Sequence, residues 1–165
     1  MPIVAVDVHY EDPKAYAAAI AFDAWSASTP FFESVTTIDS VAAYVPGRFY
    51  EREMPCVLAA LRRLDFAPTL VVVDGYVDLG IEPGLGRHIY NALEPKVPVI
   101  GVAKSAFVHA KPALVLRPGS ARPLYVTATH DLDAAVEGVL AMHGAHRIPT
   151  LLARVDRLAR GVVDE

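Results

Sequence analysis

Two short apolar runs, each ending on an aspartate, constrain the fold of this chain most strongly. Residues 3–7 read Ile-Val-Ala-Val-Asp, and residues 70–74 read Leu-Val-Val-Val-Asp. Short runs without polar alternation are typical of strands covered on both faces, as in the parallel sheets of α/β proteins. Neighbouring parallel strands present their carboxyl ends to one crevice, where the active sites of open sheets lie. We therefore expect Asp7 and Asp74 to lie close together at one edge of a sheet.

The spacing of apolar residues predicts strands first, and then an alternation of helices and strands. We expect an antiparallel meander of strands at residues 3–9, 15–25 and 32–38. After it we expect helices over 50–64, 83–93, 131–143 and 149–160, strands over 69–74 and 97–103, and an edge pair at 113–117 and 123–128. The result is an α/β fold, a mixed β-sheet flanked by α-helices. This is the order of the ribonuclease H-like fold, among others.

The start of the first helix is set by a proline. Pro55 is compatible with a helix over 50–64 only in its first turn, because proline has no N–H for the helical ladder. This placement puts Glu53 at or just before the start of the helix.

Composition indicates one globular domain over residues 1–165. An apolar fraction of 53% with 21% charged residues is typical of a chain with a substantial core. The first residues have no basic leader, and no apolar run approaches the roughly 20 residues that span a bilayer. We expect neither secretion nor membrane insertion. The one cysteine, Cys56, cannot form an intrachain disulfide, which favours the cytoplasm.

The net charge of −4 gives no general signal for nucleic acid, because proteins that coat phosphates usually have a strong basic excess. Local basic clusters are most simply solvated helix faces. They occur at Arg62 and Arg63, at Lys104 with Lys111, and near the end of the chain at Arg147, Arg154, Arg157 and Arg160. Charge leaves the partner undecided.

Three acids and one lysine are expected to face the same crevice. Carboxylates are preferred ligands of Mg²⁺ and Mn²⁺, and such an ion polarises a phosphoryl oxygen and activates water. Asp7 and Asp74 suit ligand roles, and Glu53 suits a ligand or a water-orienting role. Lys104, at the end of its strand, suits the neutralisation of charge on a phosphate. Alternatively each acid only caps a strand or contacts a helix N-terminus, and the pattern alone leaves both interpretations open.

Several local sequences resemble the endonuclease V family, in the family's order, from about residue 3 to 156. The most specific are Arg-Glu-Met-Pro at 52–55 and Val-Pro-Val-Ile-Gly-Val-Ala-Lys-Ser at 97–105. Five further segments also match. They are the first acidic strand at 4–8, a Tyr-Val-Pro-Gly turn at 44–47, the end of the second acidic strand at 72–75, a late strand with its turn at 123–130, and the entry to the last helix at 146–149.

The resemblance implies a ribonuclease H-like fold and hydrolysis, dependent on Mg²⁺ or Mn²⁺, of a phosphodiester near inosine in DNA or RNA. Cleavage would fall on the 3′ side, one nucleotide beyond the inosine. By this resemblance Asp7, Glu53 and Asp74 are metal-binding and catalytic acids, and Lys104 is the catalytic lysine. Asp156 takes the family's late position near the metal.

The resemblance also implies the contacts to nucleic acid. Tyr44, Val45, Pro46 and Gly47 would form a wedge that enters the strand beside the flipped base. An aromatic ring on a stiff Pro-Gly turn can replace lost base stacking. The loop after Asp74, which begins with Gly75 and Tyr76, would help to hold the base and the strand.

The chain departs from the family pattern in that same loop. The family continues with glycine, histidine and a basic step, whereas residues 76–84 contain two acids and no basic residue. The last helix begins Pro-Thr-Leu-Leu at 149–152 instead of Pro-Thr-Arg. The acidic loop leaves open a nucleic-acid-binding relative with weak or no catalysis. The short length and the negative charge leave open a metal-dependent hydrolase of small nucleotide-like substrates. A monomer is favoured, although the oligomeric state is not determined by the sequence.

Overall fold

The computed structural model describes residues 1–46 and 48–161, so the expected wedge residue Gly47 lies outside the described residues. The strands are β1 (Ile3–Glu11), β2 (Lys14–Phe22), β3 (Phe32–Ile38), β4 (Leu70–Asp74), β5 (Asp78–Leu79), β6 (Glu82–Pro83), β7 (Val99–Ala103), β8 (Ala113–Val115) and β9 (Leu124–Ala128). The helices are α1 (Phe49–Arg62), α2 (Leu85–Ala92), α3 (Leu132–Ala141) and α4 (Thr150–Ala159).

Seven of these strands form one mixed sheet in the order β3-β2-β1-β4-β7-β9-β8. The leading strands pair antiparallel, which confirms the predicted meander. The central strands β1, β4 and β7 run parallel, and β9 and β8 continue the sheet antiparallel. The short strands β5 and β6 form a separate hairpin that the sequence did not predict. The predicted α/β class, a mixed sheet flanked by helices, is confirmed.

Helices cover both faces of the sheet, which explains the unbroken apolar runs of β1 and β4. Val4 and Val6 of β1 belong to the core under α1 and α2. Ile3 and Ala5 belong to the core under α3 and α4. Successive side chains of a strand point to opposite faces, so both sets must be apolar when both faces are covered.

The second strand is shorter than predicted, because residues 23–26 leave the sheet. They place the ring of Trp25 against Phe22, with 6.3 Å between the ring centroids. The same ring lies over Gly138 of α3, where an added Cβ would come within 2.3 Å of it. The strand therefore ends at Phe22, and Trp25 fills the space between the sheet and α3.

The start of α1 differs from the prediction. The helix begins at Phe49, so Pro55 lies in its middle and Glu53 in its second turn. Pro55 removes one hydrogen bond to the carbonyl of Glu51, but Pro55 is exposed and water can reach that side. Packing of the opposite face, at Cys56 and Val57, holds the helix together across the proline.

Among residues 1–46 and 48–161, no helix has both the length and the apolar character needed to cross a membrane.

Candidate active site

Asp7 and Asp74 lie side by side on neighbouring parallel strands. The register pairs Val6 of β1 with Val73 of β4, and the next residue of each strand is the aspartate. Asp74 ends β4 as predicted. Asp7 does not end β1, because antiparallel pairing with β2 carries β1 on to Glu11. Asp7 therefore lies within a strand that continues past the last residue of β4.

Glu53 and Lys104 complete an open groove at this edge of the sheet. Glu53 is 5% exposed and comes from α1. Lys104 directly follows β7, and its Nζ lies 3.7 Å from Oδ2 of Asp74. Together with Asp7 and Asp74 they line a groove of about 590 Å³. The structure therefore brings together the four residues that the sequence predicted as catalytic.

The carboxyl groups of this groove have raised pKa values. Burial, with repulsion from Asp74 and Asp156, raises the pKa of Asp7 to about 7. Burial and the charges of Asp7 and Asp74 raise the pKa of Glu53 well above its usual range. Burial also raises the pKa of Asp74, against the opposing attraction of Lys104. Neighbouring carboxyl groups whose negative charges repel one another create a negative potential, and a bound cation would neutralise it.

Asp156 approaches the same cluster from α4. Its charge contributes to the raised pKa values of both Asp7 and Asp74. Its Oδ2 accepts a hydrogen bond from Nη2 of Arg160, one turn further along the helix, at 2.7 Å. The structure thus brings Asp156 near the groove, but its carboxylate is already paired with a cation on its own helix.

The donor set of the groove fits a hard divalent cation. In the part of the chain that the structure describes, no three histidine, cysteine or acidic side chains stand together as a ready-made metal site. However, Asp7, Glu53 and Asp74 offer oxygen atoms only, which Mg²⁺ and Mn²⁺ prefer, and softer ligands are absent from the groove lining. The charges of Asp7 and Asp74 contribute to the raised pKa of Glu53, so the three acids belong to one electrostatic cluster.

The predicted wedge lies next to the groove. Tyr44 is 58% exposed and Val45 is 44% exposed, and Pro46 follows them at the surface. The ring of Tyr44 contacts that of Phe49, with 6.3 Å between centroids, and Phe49 lines the groove. The carbonyl of Val45 accepts a hydrogen bond from the backbone N–H of Arg48 at 2.9 Å, which closes the turn.

Gly75 and Tyr76 line both the groove and a neighbouring pocket of about 740 Å³. Gly75 has a φ of +129°, which favours glycine where the chain turns away from β4. Its carbonyl lies so close to Gly101 that a Cβ there would come within 2.3 Å. Tyr76 is only 7% exposed, and its hydroxyl donates to the carbonyl of Ser105 at 2.7 Å. Tyr76 therefore offers little free surface for stacking on a base.

Several aromatic residues of the site were missed by sequence reasoning. Phe49 lies one helical turn before Glu53, so the spacing could have revealed it once the start of α1 was known. Phe107 lines the groove from the irregular segment after Lys104, where no periodicity could indicate it. Tyr50 and His88 stack at the neighbouring pocket, with 3.8 Å between ring centroids.

The β5–β6 hairpin stands beside this pocket and carries the two acids of the divergent loop. Asp78 forms a two-point ion pair with Arg87, at 3.2 and 3.0 Å. Ile81 at the hairpin tip is fully exposed, and Glu82 is exposed and lines the pocket. One of the two acids is thus neutralised within the protein.

Comparison with known proteins finds similar sequences of one family. The family model for Endonuclease V matches residues 1–127. The Endonuclease V of Streptomyces avermitilis is 35% identical, over 99% of this chain and 81% of that protein. That of Streptomyces coelicolor is 31% identical, over 98% of this chain and 78% of that protein.

Solved structures give the same result for the fold. The crystal structure of Streptomyces avermitilis Endonuclease V superposes with a TM-score of 0.79 at 32% identity, covering 98% of this chain and 80% of that one. Ciona intestinalis Endonuclease V, solved with a 24mer DNA containing an inosine followed by a ribo-adenosine, shares the fold at a TM-score of 0.77 and 17% identity, covering 97% of this chain and 84% of that one. The predicted ribonuclease H-like fold is confirmed. Sequence motifs, fold and relatives agree, and the chain belongs to the Endonuclease V family of nucleases.

Proposed function

We propose that this protein is a metal-dependent endonuclease that hydrolyses a phosphodiester on the 3′ side of inosine, one nucleotide beyond it, in DNA or RNA. One observation carries the proposal: the groove gathers Asp7, Glu53, Asp74 and Lys104. Clustered carboxylates that can hold a divalent ion, beside a lysine that can neutralise a phosphate, suit phosphodiester hydrolysis.

The acids divide into ligands and a water-orienting group. Asp7 and Asp74 would hold Mg²⁺ or Mn²⁺, with Asp156 as a further ligand once it turns from Arg160. When bound there, such an ion would supply polarisation of a phosphoryl oxygen and a lowered pKa of water. Glu53, the most buried of the acids, would complete the ligand set or orient the attacking water by accepting its proton.

Lys104 would stabilise the phosphate. Its ammonium group lies beside Asp74 and is 44% exposed, so it can turn towards a phosphate in the groove. A positive charge close to the scissile phosphate stabilises the negative charge that develops in the transition state.

The wedge and the loop after Asp74 would recognise the substrate. Tyr44, Val45 and Pro46, with Gly47 outside the described residues, would form the wedge. Gly75, which requires no side-chain space, would let a flipped base approach the backbone of the pocket. Tyr76 would support this pocket from within, since its ring is buried.

We also propose that the protein acts as a monomer in the cytoplasm. The acids and the lysine of the groove, Asp7, Glu53, Asp74 and Lys104, are all supplied by elements of a single chain, which is compatible with a monomer. Cys56 is a buried free thiol, which is compatible with a reducing compartment.

The experiment is incision of single- and double-stranded DNA and RNA that contain one inosine. We expect cleavage with Mg²⁺ or Mn²⁺, no cleavage in EDTA, and a loss of at least about a thousandfold in Asp74→Asn. Asp65→Asn, on the loop after α1, is the matched control and should cleave like the wild type. A wild-type protein that leaves all four inosine substrates intact would refute the proposal.

A second candidate function is binding without efficient cleavage. It is favoured by Glu82, an exposed acid at the pocket where a phosphate strand would approach. A gel-shift assay in EDTA and in Mg²⁺ separates the two. Binding that is indifferent to metal and produces no cut strand would favour the binding protein. Thermal-shift screening with nucleotides would reveal the third alternative, a hydrolase of small nucleotide-like substrates.

A further inference from the structure

Lys104 stands at the start of an irregular segment. β7 ends at Ala103, and the next regular element, β8, begins only at Ala113. A lysine side chain is long and flexible, and movement of the backbone adds to the freedom of its ammonium group. The ammonium group is therefore placed more precisely when the backbone that carries it is fixed. The sheet holds the backbone up to Ala103, and other residues must hold it beyond that point.

Arg147 holds this segment from one side. Its guanidinium group donates a hydrogen bond to the carbonyl of Lys104. It also donates to the carbonyl of Pro123 from Nη2 at 2.8 Å and from Nε at 3.2 Å. Pro123 directly precedes β9, the antiparallel neighbour of β7. Arg147 thus fastens the chain at Lys104 to the beginning of the adjacent strand.

Tyr76 holds the same segment from the other side. Its hydroxyl donates to the carbonyl of Ser105, the residue after Lys104, at 2.7 Å. Its ring is 7% exposed and contacts Phe107, with 6.3 Å between centroids. Tyr76 follows the turn at Gly75 and so links the loop after Asp74 to the loop after Lys104.

The backbone next to Arg147 is also held by a hydrogen bond. The preceding carbonyl, that of His146, accepts a hydrogen bond from Nε of the buried Arg117 at 3.1 Å. Arg117 is 2% exposed and also donates to carbonyls at the end of α3. The backbone that carries Arg147 is therefore fixed to the core.

We propose that Arg147 and Tyr76 form a backbone clamp, two positioning residues that hold the carbonyls of Lys104 and Ser105 and so fix the ammonium group of Lys104 beside Asp74. The clamp rests on the proposed function, because it acts on catalysis through Lys104. Both residues would act on the reaction through Lys104 and not through the phosphate.

Hydrogen–deuterium exchange of the full chain tests the clamp without any activity. In Tyr76→Phe, which removes only the hydroxyl group, and in Arg147→Ala, peptides covering residues 104–112 should exchange at least about threefold faster. Peptides from α1 should be unchanged. Tyr16→Phe on β2 and Arg62→Ala at the end of α1 are the matched controls. Unchanged exchange at 104–112 in both clamp variants would overturn the proposal.

Cleavage kinetics test the consequence for Lys104. We expect kcat to fall about 3- to 10-fold in Tyr76→Phe and about 10- to 100-fold in Arg147→Ala, with KM nearly unchanged. In the Lys104→Ala background each substitution should cost less than about twofold more, because the group it positions is already gone. Losses of the same factor in both backgrounds, or losses confined to KM, would overturn the positioning role.

The two experiments distinguish the clamp from the proposed function. If the wild type cleaves no inosine substrate, the proposed function fails, and the exchange experiment still decides whether the clamp exists. If the wild type cleaves and the kinetic losses are additive with Lys104→Ala, only the clamp's catalytic role fails. Tyr76→Phe keeps the test open if Arg147→Ala does not fold.

Discussion

At neutral pH the buried charge of Asp7 reduces the stability of the metal-free protein. Its pKa is about 7 in the folded chain, against an ordinary value of 3.8 that applies when the chain is unfolded. Because the folded pKa is the higher one, the stability contributed by Asp7 is fully present below about pH 4. It is lost progressively as the pH rises to about 7. Above that pH the buried negative charge opposes folding unless a cation neutralises it.

We therefore predict that Asp7→Asn stabilises the metal-free protein while it abolishes cleavage. The amide keeps an oxygen for the hydrogen bond from the N–H of Val8, which is 2.9 Å long with Asp7. In EDTA the gain in unfolding free energy should be small at pH 4, grow up to pH 7, and level off at about 2–4 kcal/mol. Urea unfolding at several pH values measures it. An identical pH dependence in the wild type and the variant would contradict the assignment.

At the residue scale, sequence could predict the acids and the lysine because each follows a recognisable strand or belongs to a specific motif. Asp74 ends a buried strand, Lys104 directly follows one, and the motif at 52–55 marks Glu53. The partners of these groups could not be predicted. The bond from Tyr76 to Ser105 joins residues 29 positions apart, and nothing local to either residue encodes it.

The connection between α3 and α4 depends on one buried side chain. Arg117 donates to the carbonyls of Val139, Met142, Gly144 and His146, at distances between 2.8 and 3.1 Å. The last carbonyls of a helix have no partner within the helix. Arg117 supplies these partners and fixes the direction in which the chain leaves α3 for α4.

We predict that Arg117→Met destabilises the protein by about 2–4 kcal/mol, because it leaves several carbonyls without a partner in a buried place. Equilibrium unfolding in urea measures the effect. Arg122→Met, an exposed arginine on the same loop, should change stability by less than about 0.5 kcal/mol. Equal effects of the two substitutions would show that burial of Arg117 contributes little.

At the element scale, periodicity predicted the order of strands and helices but not every boundary. β2 is rich in alanine and was expected to run to residue 25, whereas it ends at Phe22. The turn that follows depends on the contact between Trp25 and Gly138, which are more than a hundred positions apart in the chain. The start of α1 also depends on packing between distant residues. Burial of Cys56 and Val57 outweighs the preference of Pro55 for the first turn of a helix.

For the molecule as a whole, charge limits how nucleic acid can be bound. The net charge is −4, and the groove itself is lined by three acids and one lysine. Arg154 and Arg160 are paired with acids on the protein surface. We therefore expect binding to depend mainly on metal in the groove and on base contacts at the wedge, and less on contacts with phosphates. A shallow dependence of affinity on salt follows.

The hairpin beside the pocket provides a specific test of this charge limit. Asp78 is neutralised by Arg87, whereas Glu82 is exposed and lines the pocket. In the non-cleaving Asp74→Asn background, we predict that Glu82→Gln tightens binding of an inosine-containing oligonucleotide about 2- to 5-fold at low salt, because one repulsive charge is removed. Fluorescence anisotropy in Mg²⁺ measures the affinity.

The matched control for this prediction is Glu137→Gln, which removes an exposed acid from α3 and gives the same net charge. It should change the affinity by less than about 1.5-fold, because Glu137 does not line the pocket and salt screens the charges that lie further from it. The gain from Glu82→Gln should also shrink as salt is raised, since the repulsion is screened. Equal gains from both variants would mean that net charge alone limits binding. Weaker binding by Glu82→Gln would mean that Glu82 accepts a hydrogen bond from the substrate, and the acidic hairpin would then take part in recognition instead of opposing it.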